Sequence, residues 1–462
     1  MNLKDAVKKT IEEKELIQPG DRIILGLSGG PDSIALLHVL ASLQQDLNFT
    51  LYALHVNHKI RGEEADRDMR YCISCCKNLK IPLTVKALDI PAISKELGTS
   101  LEETGRIVRQ QALKRKALRV KADNPVGRVR IALAHNKDDQ AETVLMRILR
   151  GTGVHGLAAM EYERDDGFIR PLLDCPRSDI EEYCKANNLR PKTDSTNLVA
   201  EYTRNKIRLR LIPQLEEEYN PNLKDGLVRL AESAREDDSF IDGLAKRELP
   251  RLVYKNQDGP AESWDSMPRR QLAEMDSALA KRVIRLMFAR AGLKQDIGAI
   301  HLNNLIAAID KPDASIIEFP KGFKAEISGD RVYFKAPNVI ATEKKKFEIK
   351  TCEVVSILDA PPLRSIGKNA CALDAEKVML LNTDLAVRSR MPKDKIRPIG
   401  LGGSKKLSDY MIDAKVPREE RDGICLLAAG SDILWVEGMA VSELCKVDSK
   451  TELILLTEIQ ED

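Results

Sequence analysis

Residues 22 to about 150 alternate between short apolar runs typical of strands and longer apolar-periodic runs typical of helices. Strands are predicted at 22–27, 50–56, 83–88 and 129–134, and the helices that follow them at 33–46, 63–80, 101–121 and 139–150. This alternation predicts an α/β domain with a doubly wound parallel sheet. Ligands of such sheets bind beyond the carboxyl ends of the strands, so polar residues that follow different strands are expected to share one pocket.

The turn after the first predicted strand is rich in small residues and reads Ser28-Gly29-Gly30-Pro31-Asp32-Ser33. Glycine lets the backbone approach a ligand, and the N-terminus of the helix that follows favours an anion such as phosphate. No Lys follows Gly30, so the turn is not suited to hold a transferred terminal phosphoryl group. Asp32 stands in place of Lys, and its carboxylate suits Mg²⁺. The pattern resembles the loop of ATP pyrophosphatases, which split ATP between the α and β phosphates.

The length of 462 residues predicts about three domains at roughly 150 residues each. We place an ATP-binding domain at 1–215, a helical domain at 216–330, a linker region with short strands at 331–384 and a basic domain at 385–462. The net charge of +2 is close to neutral, so any contact with nucleic acid must come from local patches.

One such patch lies between residues 388 and 421, where ten basic residues face five acidic ones, an excess of 10 − 5 = +5. A surface that contacts RNA phosphates and an ordinary solvated surface both account for this excess. The candidates for phosphate contact are Arg388, Arg390, Lys405 and Lys406.

The chain is expected to be cytoplasmic and without membrane contact, because no apolar run reaches the roughly 18 residues that span a bilayer. Nine cysteines, an odd number, argue against a disulfide framework. Cys72, Cys75 and Cys76 could suggest a metal centre, but Cys72 and Cys76 follow helical spacing together with Met69 and Leu79. We therefore interpret them as core residues.

Three acidic residues, Asp138, Asp139 and Glu142, fall near one face of the first turn of the predicted helix at 139–150. Acids at this position often only favour the helix dipole. Because His135 precedes them and the glycine turn shares the same rim, we interpret them as candidates for Mg²⁺ binding, with Asp32, and for capture of a cationic substrate.

Two other groups of polar residues border this rim. His55 and Asn57 end the second predicted strand, where they could contact nucleotide or substrate or only cap the strand. Arg106 and Arg109 lie on the helix at 101–121 and could face phosphate or solvent. The residue pattern leaves both alternatives open for each group.

Taken together, the segments 28–33, 55–61, 133–143 with 147–151, and 203–208 resemble the tRNA(Ile)-lysidine synthetase family. The segments 388–390, 402–407, 412–413, 416–418 and 433–436 resemble the family's longer, three-domain form. The resemblance implies an adenine nucleotide alpha hydrolase-like N-terminal domain, a helical middle domain and a small α+β C-terminal domain. It is weakest between about 230 and 380.

The activity implied by the resemblance is ATP-dependent ligation of free L-lysine to the wobble cytidine of isoleucine tRNA with a CAU anticodon. ATP would first adenylate the cytidine, and the lysine amine would then displace AMP. By the same resemblance, residues 28–33 hold ATP with Asp32 near Mg²⁺. His135, Asp139 and Glu142 form the reaction centre, the acids receive lysine, and Arg204 lies near substrate.

One segment departs from the family pattern. After Glu103 the family has an Ala and a Tyr around its two arginines, whereas this chain has Gly105 and Gln110. Arg106 and Arg109 are retained, so only the role of the aromatic ring is in doubt.

Three other functions are compatible with parts of this pattern. A tRNA thiolation enzyme with the same loop predicts a metal cluster, and the single Cys-x-x-Cys on a helical stripe counts against it. An amidotransferase would need an N-terminal Cys, whereas the chain begins with Met1. A non-catalytic tRNA-binding or nucleotide-binding protein would not need the intact polar rim. Contact with a large RNA is compatible with a homodimer, which the sequence does not decide.

Overall fold

The computed structural model describes most of the chain. The described residues are 2–60, 62–124, 126–192, 203–254, 265–293, 296–311, 314–335, 347–357, 360, 362, 366–381, 385–417 and 420–461. Residues 61 and 418 of the motif segments lie outside them. The chain divides into two compact units, Met1–Arg235 and Glu236–Asp462. No helix among the described residues combines the length and the apolar character needed to cross a membrane.

The first unit is built on a five-stranded sheet in the order β3-β2-β1-β4-β5, in which every pair of neighbouring strands is parallel. The predicted doubly wound parallel sheet is confirmed. Its elements are α1 (Leu3–Glu13), β1 (Arg22–Gly26), α2 (Pro31–Leu47), β2 (Thr50–Asn57), α3 (Glu63–Asn78), β3 (Leu83–Ala87), α4 (Ile90–Leu97), α5 (Leu101–Asp123), β4 (Val129–Ala132), α6 (Lys137–Leu149), α7 (Val154–Leu157), β5 (Phe168–Ile169) and α8 (Arg177–Ala186).

The central strand, β1, is apolar on both faces, since a parallel sheet is covered by helices on both sides. Ile23 and Leu25 belong to one buried cluster, which includes residues of α1, α2 and α8, and Ile24 belongs to another, which includes residues of α5. The chain runs outwards from β1 in both directions, to β2 and to β4. The order of the strands therefore reverses between β1 and β4, where a crevice opens at their carboxyl ends.

The start of α6 differs from its prediction by two residues. Asn136 caps this helix: its side chain accepts a hydrogen bond from Asp139 N (2.9 Å), and the Asp139 carboxylate accepts one from Asn136 N (3.1 Å). This capping box satisfies donors that the first turn would otherwise leave unpaired. It begins the helix at Lys137 and places His135 just before it.

The first unit ends in helices that pack against α6. They are α9 (Thr203–Lys206), a π-helical turn (Ile207–Leu211), α10 (Ile212–Glu218) and α11 (Leu223–Leu252), which continues into the second unit. Ile207, Ile212 and Ala231 share a buried cluster with Ala141 and Val144 of α6. The packing brings the segment 203–211 against the first turns of α6.

The second unit begins with the helices α12 (Arg269–Glu274), α13 (Ser277–Arg290) and α14 (Ala299–Ile309). The predicted apolar stripe of α13 is buried at Val283, Ile284 and Met287, which confirms a helical middle region. These helices pack against a four-stranded antiparallel sheet in the order β6-β9-β8-β7. Its strand at 331–335 lies where short strands were predicted, whereas its other three strands lie in the region predicted as helical. Its strands are β6 (Ser266–Pro268), β7 (Ser315–Glu318), β8 (Lys324–Ser328) and β9 (Arg331–Lys335).

Two further sheets form the C-terminal part of the second unit, in the orders β10-β17-β11 and β12-β15-β16-β13-β14. The elements are β10 (Phe347–Ser356), β11 (Ala370–Asp374), α15 (Ala375–Leu380), β12 (Leu385–Arg388), β13 (Lys395–Ile396), β14 (Lys405–Lys406), α16 (Leu407–Asp413), β15 (Leu426–Ala429), β16 (Asp432–Val436) and β17 (Leu453–Glu461). The small α+β C-terminal region is confirmed, whereas the bounds of the four predicted regions stay predictions.

Candidate active site

A cavity of about 430 Å³ opens at the carboxyl ends of β1, β2 and β4. It brings together residues of the glycine turn, of the segments around His55 and His135, and of the helix predicted at 101–121. Its walls include Ser28, Asp32, Ser33, His55, Asn57, Arg106, Arg109 and His135. These eight residues from separate segments therefore share one rim.

The glycine turn is held in shape by its own serines. Ser33 Oγ accepts hydrogen bonds from the N–H groups of Ser28 and Gly29, each with a length of 3.2 Å, and it lies 2.9 Å from Ser28 Oγ. Gly29 has φ +92°, a left-handed conformation that favours glycine, and an added Cβ would lie 3.4 Å from Cys72 Sγ. Pro31 occupies the first position of α2, as predicted. The turn is thus preformed at the N-terminus of a 17-residue helix.

Asp32 lies in the first turn of α2, and both of its carboxylate oxygens have partners. Oδ1 accepts a hydrogen bond from Asn136 Nδ2 (2.9 Å), and Oδ2 forms an ion pair with Arg177. Burial raises the pKa of Asp32, while Arg177 and Asn136 act in the opposite direction. The cation and the amide therefore stabilise a negative charge at a poorly solvated position.

The fit of this region to Mg²⁺ rests on single carboxylates. The described residues contain no group of three or more His, Cys, Asp or Glu side chains placed to hold a metal ion. Mg²⁺ is commonly bound by one or two carboxylates together with substrate phosphates, and Asp32 at a phosphate-type turn fits that chemistry. Asp138 fits it less well, because Oδ1 accepts from Arg177 N (3.0 Å) and Oδ2 is paired with Lys224 (2.9 Å).

His135 follows β4 and faces Arg170. Arg170 Nε donates a hydrogen bond of 3.3 Å to His135 Nδ1, so the neutral ring carries its proton on Nε2. Burial lowers the pKa of His135 to about 4; Asp139 opposes this shift, and Arg170 and Arg204 add to it. At neutral pH His135 is therefore a hydrogen-bond donor through Nε2 rather than a cation.

Asp139 and Glu142 share two arginines on the segment 203–211. Arg204 Nε contacts Glu142 (2.8 Å) and its Nη2 contacts Asp139 (3.1 Å). Arg208 makes the same two kinds of contact, 2.5 Å to Glu142 and 2.7 Å to Asp139. The Glu142 side chain is only 3% exposed, so the two cations compensate a buried charge.

Asp138 does not join this network, although helical spacing placed it near the same face. Its carboxylate turns to Lys224 and to the start of α8, as described above. The predicted cluster of three acids is therefore divided into a pair, Asp139 and Glu142, and a separate Asp138.

His55 and Asn57 line the cavity, but both are buried and bonded within the protein. His55 Nδ1 donates to the carbonyl oxygen of Leu27 (2.9 Å), and burial lowers the pKa of His55. Asn57 Nδ2 donates to Asp66 (2.9 Å). These bonds account for both residues as supports of the rim, and their predicted contact with nucleotide or substrate stays a prediction.

Arg106 and Arg109 of α5 also line the cavity, and both are exposed. Arg106 pairs with Glu103 on the same helix (2.9 Å). The helix thus presents two cations to the cavity, and their contact with substrate stays a prediction.

The four basic residues singled out in the C-terminal region have different surroundings. Arg388 is mostly buried and bidentate to Asp394 (2.8 and 2.9 Å), which makes it part of the domain interior. Arg390 pairs with Asp422 (2.6 Å), and Lys405 pairs with Asp413. Lys406 is exposed. Their contact with RNA stays a prediction, for which Lys406 is the best placed.

The cysteines of α3 lie in the core, as predicted. Cys72 and Cys76 are 0% and 1% exposed and belong to the cluster that contains β1 and α2. Burial raises the pKa of both thiols, that of Cys76 to about 12. They are therefore protonated, apolar packing groups at neutral pH.

Sequence reasoning missed three arginines of the site: Arg170, Arg177 and Arg208. Arg208 lies in the segment 203–208, which carries the resemblance, but no role was assigned to it, and Arg170 lies in none of the motif segments. Arg177 carried a weak signal, because a cation at the first position of a helix opposes the helix dipole and is favoured there by an acidic partner. That partner, Asp32, is 145 residues away in the sequence and could not be read from local spacing.

A preformed glycine turn at a helix N-terminus, in the crevice of a 3-2-1-4-5 parallel sheet, is typical of nucleotide-binding α/β proteins, and the match to a PP-loop family model over residues 1–215 makes the class that of PP-loop proteins. A family model described as "PP-loop domain" matches residues 1–215, and one described as "TilS substrate C-terminal domain" matches residues 385–457.

The chain is similar along nearly its whole length to curated proteins named tRNA(Ile)-lysidine synthase. That of Caldanaerobacter subterraneus subsp. tengcongensis is 36% identical over 98% of this chain and 97% of its own. That of Clostridium perfringens is 36% identical over 98% of each chain, and that of Clostridioides difficile 35% over 98% of each. The chain belongs to the tRNA(Ile)-lysidine synthase family.

Proposed function

We propose that this protein is an ATP-dependent carbon–nitrogen ligase that joins free L-lysine to the wobble cytidine of isoleucine tRNA with a CAU anticodon. The observation that carries the proposal is one cavity that holds the PP-loop turn, Asp32 and His135, with Asp139 and Glu142 on the helix that His135 precedes. Membership of the tRNA(Ile)-lysidine synthase family supports the substrates.

The first step would be adenylation of the cytidine. The 2-carbonyl oxygen of cytosine forms a bond to the α-phosphorus of ATP, and the bond to the bridging oxygen breaks with its electron pair leaving on pyrophosphate. The turn at 28–33 binds the phosphates at the N-terminus of α2. Mg²⁺ held by Asp32 and the phosphates would neutralise charge during this step. Asp138 is a weaker candidate for that role.

His135 suits this step as a neutral donor. Its Nε2 proton can hydrogen-bond an oxygen of the phosphate or of the cytosine as negative charge develops. Because Arg170 fixes the tautomer, the donor is available without a proton transfer. We therefore assign His135 to stabilisation of charge rather than to proton abstraction.

The second step would be attack by the lysine ε-amine on the activated carbon, with AMP as the leaving group. Asp139 and Glu142 suit an ammonium ion, which they would hold in place of part of the Arg204 and Arg208 contacts. The ammonium must lose a proton before it attacks, and a neighbouring carboxylate is a suitable acceptor.

The tRNA would be held by exposed cations. The proposed contacts are Arg106 and Arg109 at the cavity and the basic C-terminal region, where Lys406 is the best-placed candidate. A cytoplasmic location and a homodimer stay predictions.

The test is conversion of ATP to AMP by purified protein with Mg²⁺, labelled lysine and unmodified isoleucine tRNA bearing a CAU anticodon. Methionine tRNA is the control, since it has the same anticodon. Lysine label on the isoleucine tRNA alone, with AMP release, is the expected result.

Two other outcomes would contradict the proposal. AMP release without lysine incorporation would mean that adenylation occurs but that lysine is not the nucleophile. A sulfur nucleophile would then be tested first. ATP binding without any AMP release would favour a non-catalytic tRNA-binding protein.

A further inference from the structure

A phosphate loop without a lysine needs another source of positive charge. The turn 28–33 contains no basic residue, and Asp32 adds a negative charge at the position where phosphates are expected. The N–H groups of Ser28 and Gly29 are already hydrogen-bonded to Ser33 Oγ. Besides the N-terminus of α2 and Mg²⁺, a side-chain cation from another segment would stabilise a triphosphate at this turn.

Among the described residues, Arg177 has a guanidinium that pairs with an acidic side chain of this turn. It occupies the first position of α8, and its Nη1 pairs with Asp32 Oδ2. Its Nε donates to Glu181 one turn further along the helix (2.8 Å). The side chain remains 36% exposed, so the guanidinium lies at the surface of the site rather than inside the core.

The position of Arg177 is set by rigid packing. Ile180 and Cys184, three and seven residues further on, are buried in the cluster that includes Ile34 of α2. Cys184 Sγ lies 3.8 Å from the carbonyl oxygen of Pro31. Packing of α8 on α2 therefore holds residue 177 beside the N-terminus of α2, where an anion is favoured.

We propose that Arg177 is a phosphate-binding residue, which contacts Asp32 in the absence of nucleotide and binds the β and γ phosphates of ATP when nucleotide is present. This inference rests on the proposed function for the identity of the nucleotide. An arginine fork matches phosphate geometry and carries charge at every relevant pH. It would also neutralise the charge that collects on pyrophosphate as the bond to the α-phosphorus breaks.

The test measures binding by calorimetry and needs no turnover. The full-length chain, the variant Arg177→Gln and the control Lys185→Gln, an exposed residue of the same helix, are titrated with ATP, inorganic pyrophosphate and AMP. We expect Arg177→Gln to weaken ATP and pyrophosphate binding by about tenfold or more and AMP binding by less than about twofold. Arg177→Lys should fall between, because it keeps the charge and loses the fork.

A second comparison separates contact with phosphate from mere shielding of Asp32. Removing Arg177 exposes the Asp32 carboxylate, which could itself repel phosphate. The variants Asp32→Asn and Asp32→Asn with Arg177→Gln are therefore titrated with pyrophosphate in EDTA. If pyrophosphate binds normally to Asp32→Asn but weakly to the double variant, Arg177 contacts phosphate directly.

Three results would overturn the inference: unchanged pyrophosphate binding by Arg177→Gln, an equal loss of AMP and ATP binding, or full recovery in the double variant. None of them bears on lysine incorporation by the wild-type protein. The failure of this inference is thus distinguishable from the failure of the proposed function.

Discussion

Arg170 Nε lies 3.3 Å from His135 Nδ1 and donates to it, which fixes the protonation state of a histidine in the centre of the site. Arg170 is itself only 7% exposed, and its burial lowers its pKa to about 10. The guanidinium nevertheless stays charged at neutral pH, and a charged donor at Nδ1 opposes a second proton on the ring.

The pH dependence of stability follows from this pair. The native pKa of His135 is about 4 and that of an unfolded histidine about 6.5, so the unfolded state binds more protons between these values. The free energy of unfolding should therefore fall as pH drops from 6.5 to 4, with His135 contributing at most about 3 kcal/mol. Denaturant unfolding of wild type and His135→Asn at several pH values measures this, with the exposed His155→Asn as control. A pH-independent difference between wild type and His135→Asn would contradict the assignment.

Asp32 should be needed for adenylation and dispensable for RNA binding. Asp32→Ala removes the carboxylate proposed to hold Mg²⁺ and should lower AMP release by about a hundredfold or more, since charge stabilisation contributes several kcal/mol. Binding of tRNA should change by less than about twofold, because the RNA contacts are proposed at other residues. Asp46→Asn, an exposed acid on the same helix, is the matched control. Turnover that survives in Asp32→Ala would show that the turn has another role.

The sequence sufficed for the features that local chemistry determines. The strand and helix pattern of residues 22–150 predicts the sheet because each element has its own apolar period. The glycine turn is recognisable because φ of +92° at Gly29 and a proline at the first helical position demand particular residues. Cys72 and Cys76 were placed in the core by their helical spacing alone.

The features that were missed depend on contacts between distant segments. The pairs Arg177 with Asp32 and Arg208 with Glu142 join residues 145 and 66 positions apart. No periodicity connects such residues, and only packing of α8 on α2 or of residues 203–211 on α6 brings them together. Asp138 was grouped with Asp139 and Glu142 for the opposite reason: helical spacing fixes which residues are neighbours but not which partner each side chain finds.

Glu142 should contribute to the stability of the fold as well as to lysine binding. Because its carboxylate is buried between Arg204 and Arg208, Glu142→Gln removes one of the two carboxylates that compensate these cations and leaves Asp139 as the other. Both arginines are about one-third exposed, so water reduces the cost, and we expect a loss of about 2 kcal/mol in the free energy of unfolding. Denaturant unfolding measures it, with the exposed Glu217→Gln as control. If the two variants were equally stable, the ion network would contribute nothing to the fold.

The basic residues of the C-terminal region should separate into structural and RNA-contacting ones. Arg388→Gln breaks a mostly buried bidentate pair with Asp394 and should destabilise its domain by about 3 kcal/mol. Lys406→Ala, at an exposed position, should leave thermal unfolding unchanged and weaken tRNA binding. The slope of the logarithm of the binding constant against the logarithm of salt concentration should fall by about one in this variant, as expected for the loss of one phosphate contact. An unchanged slope would remove Lys406 from the RNA interface, whereas a reduced slope with an intact fold would assign it there while Arg388 serves the domain interior.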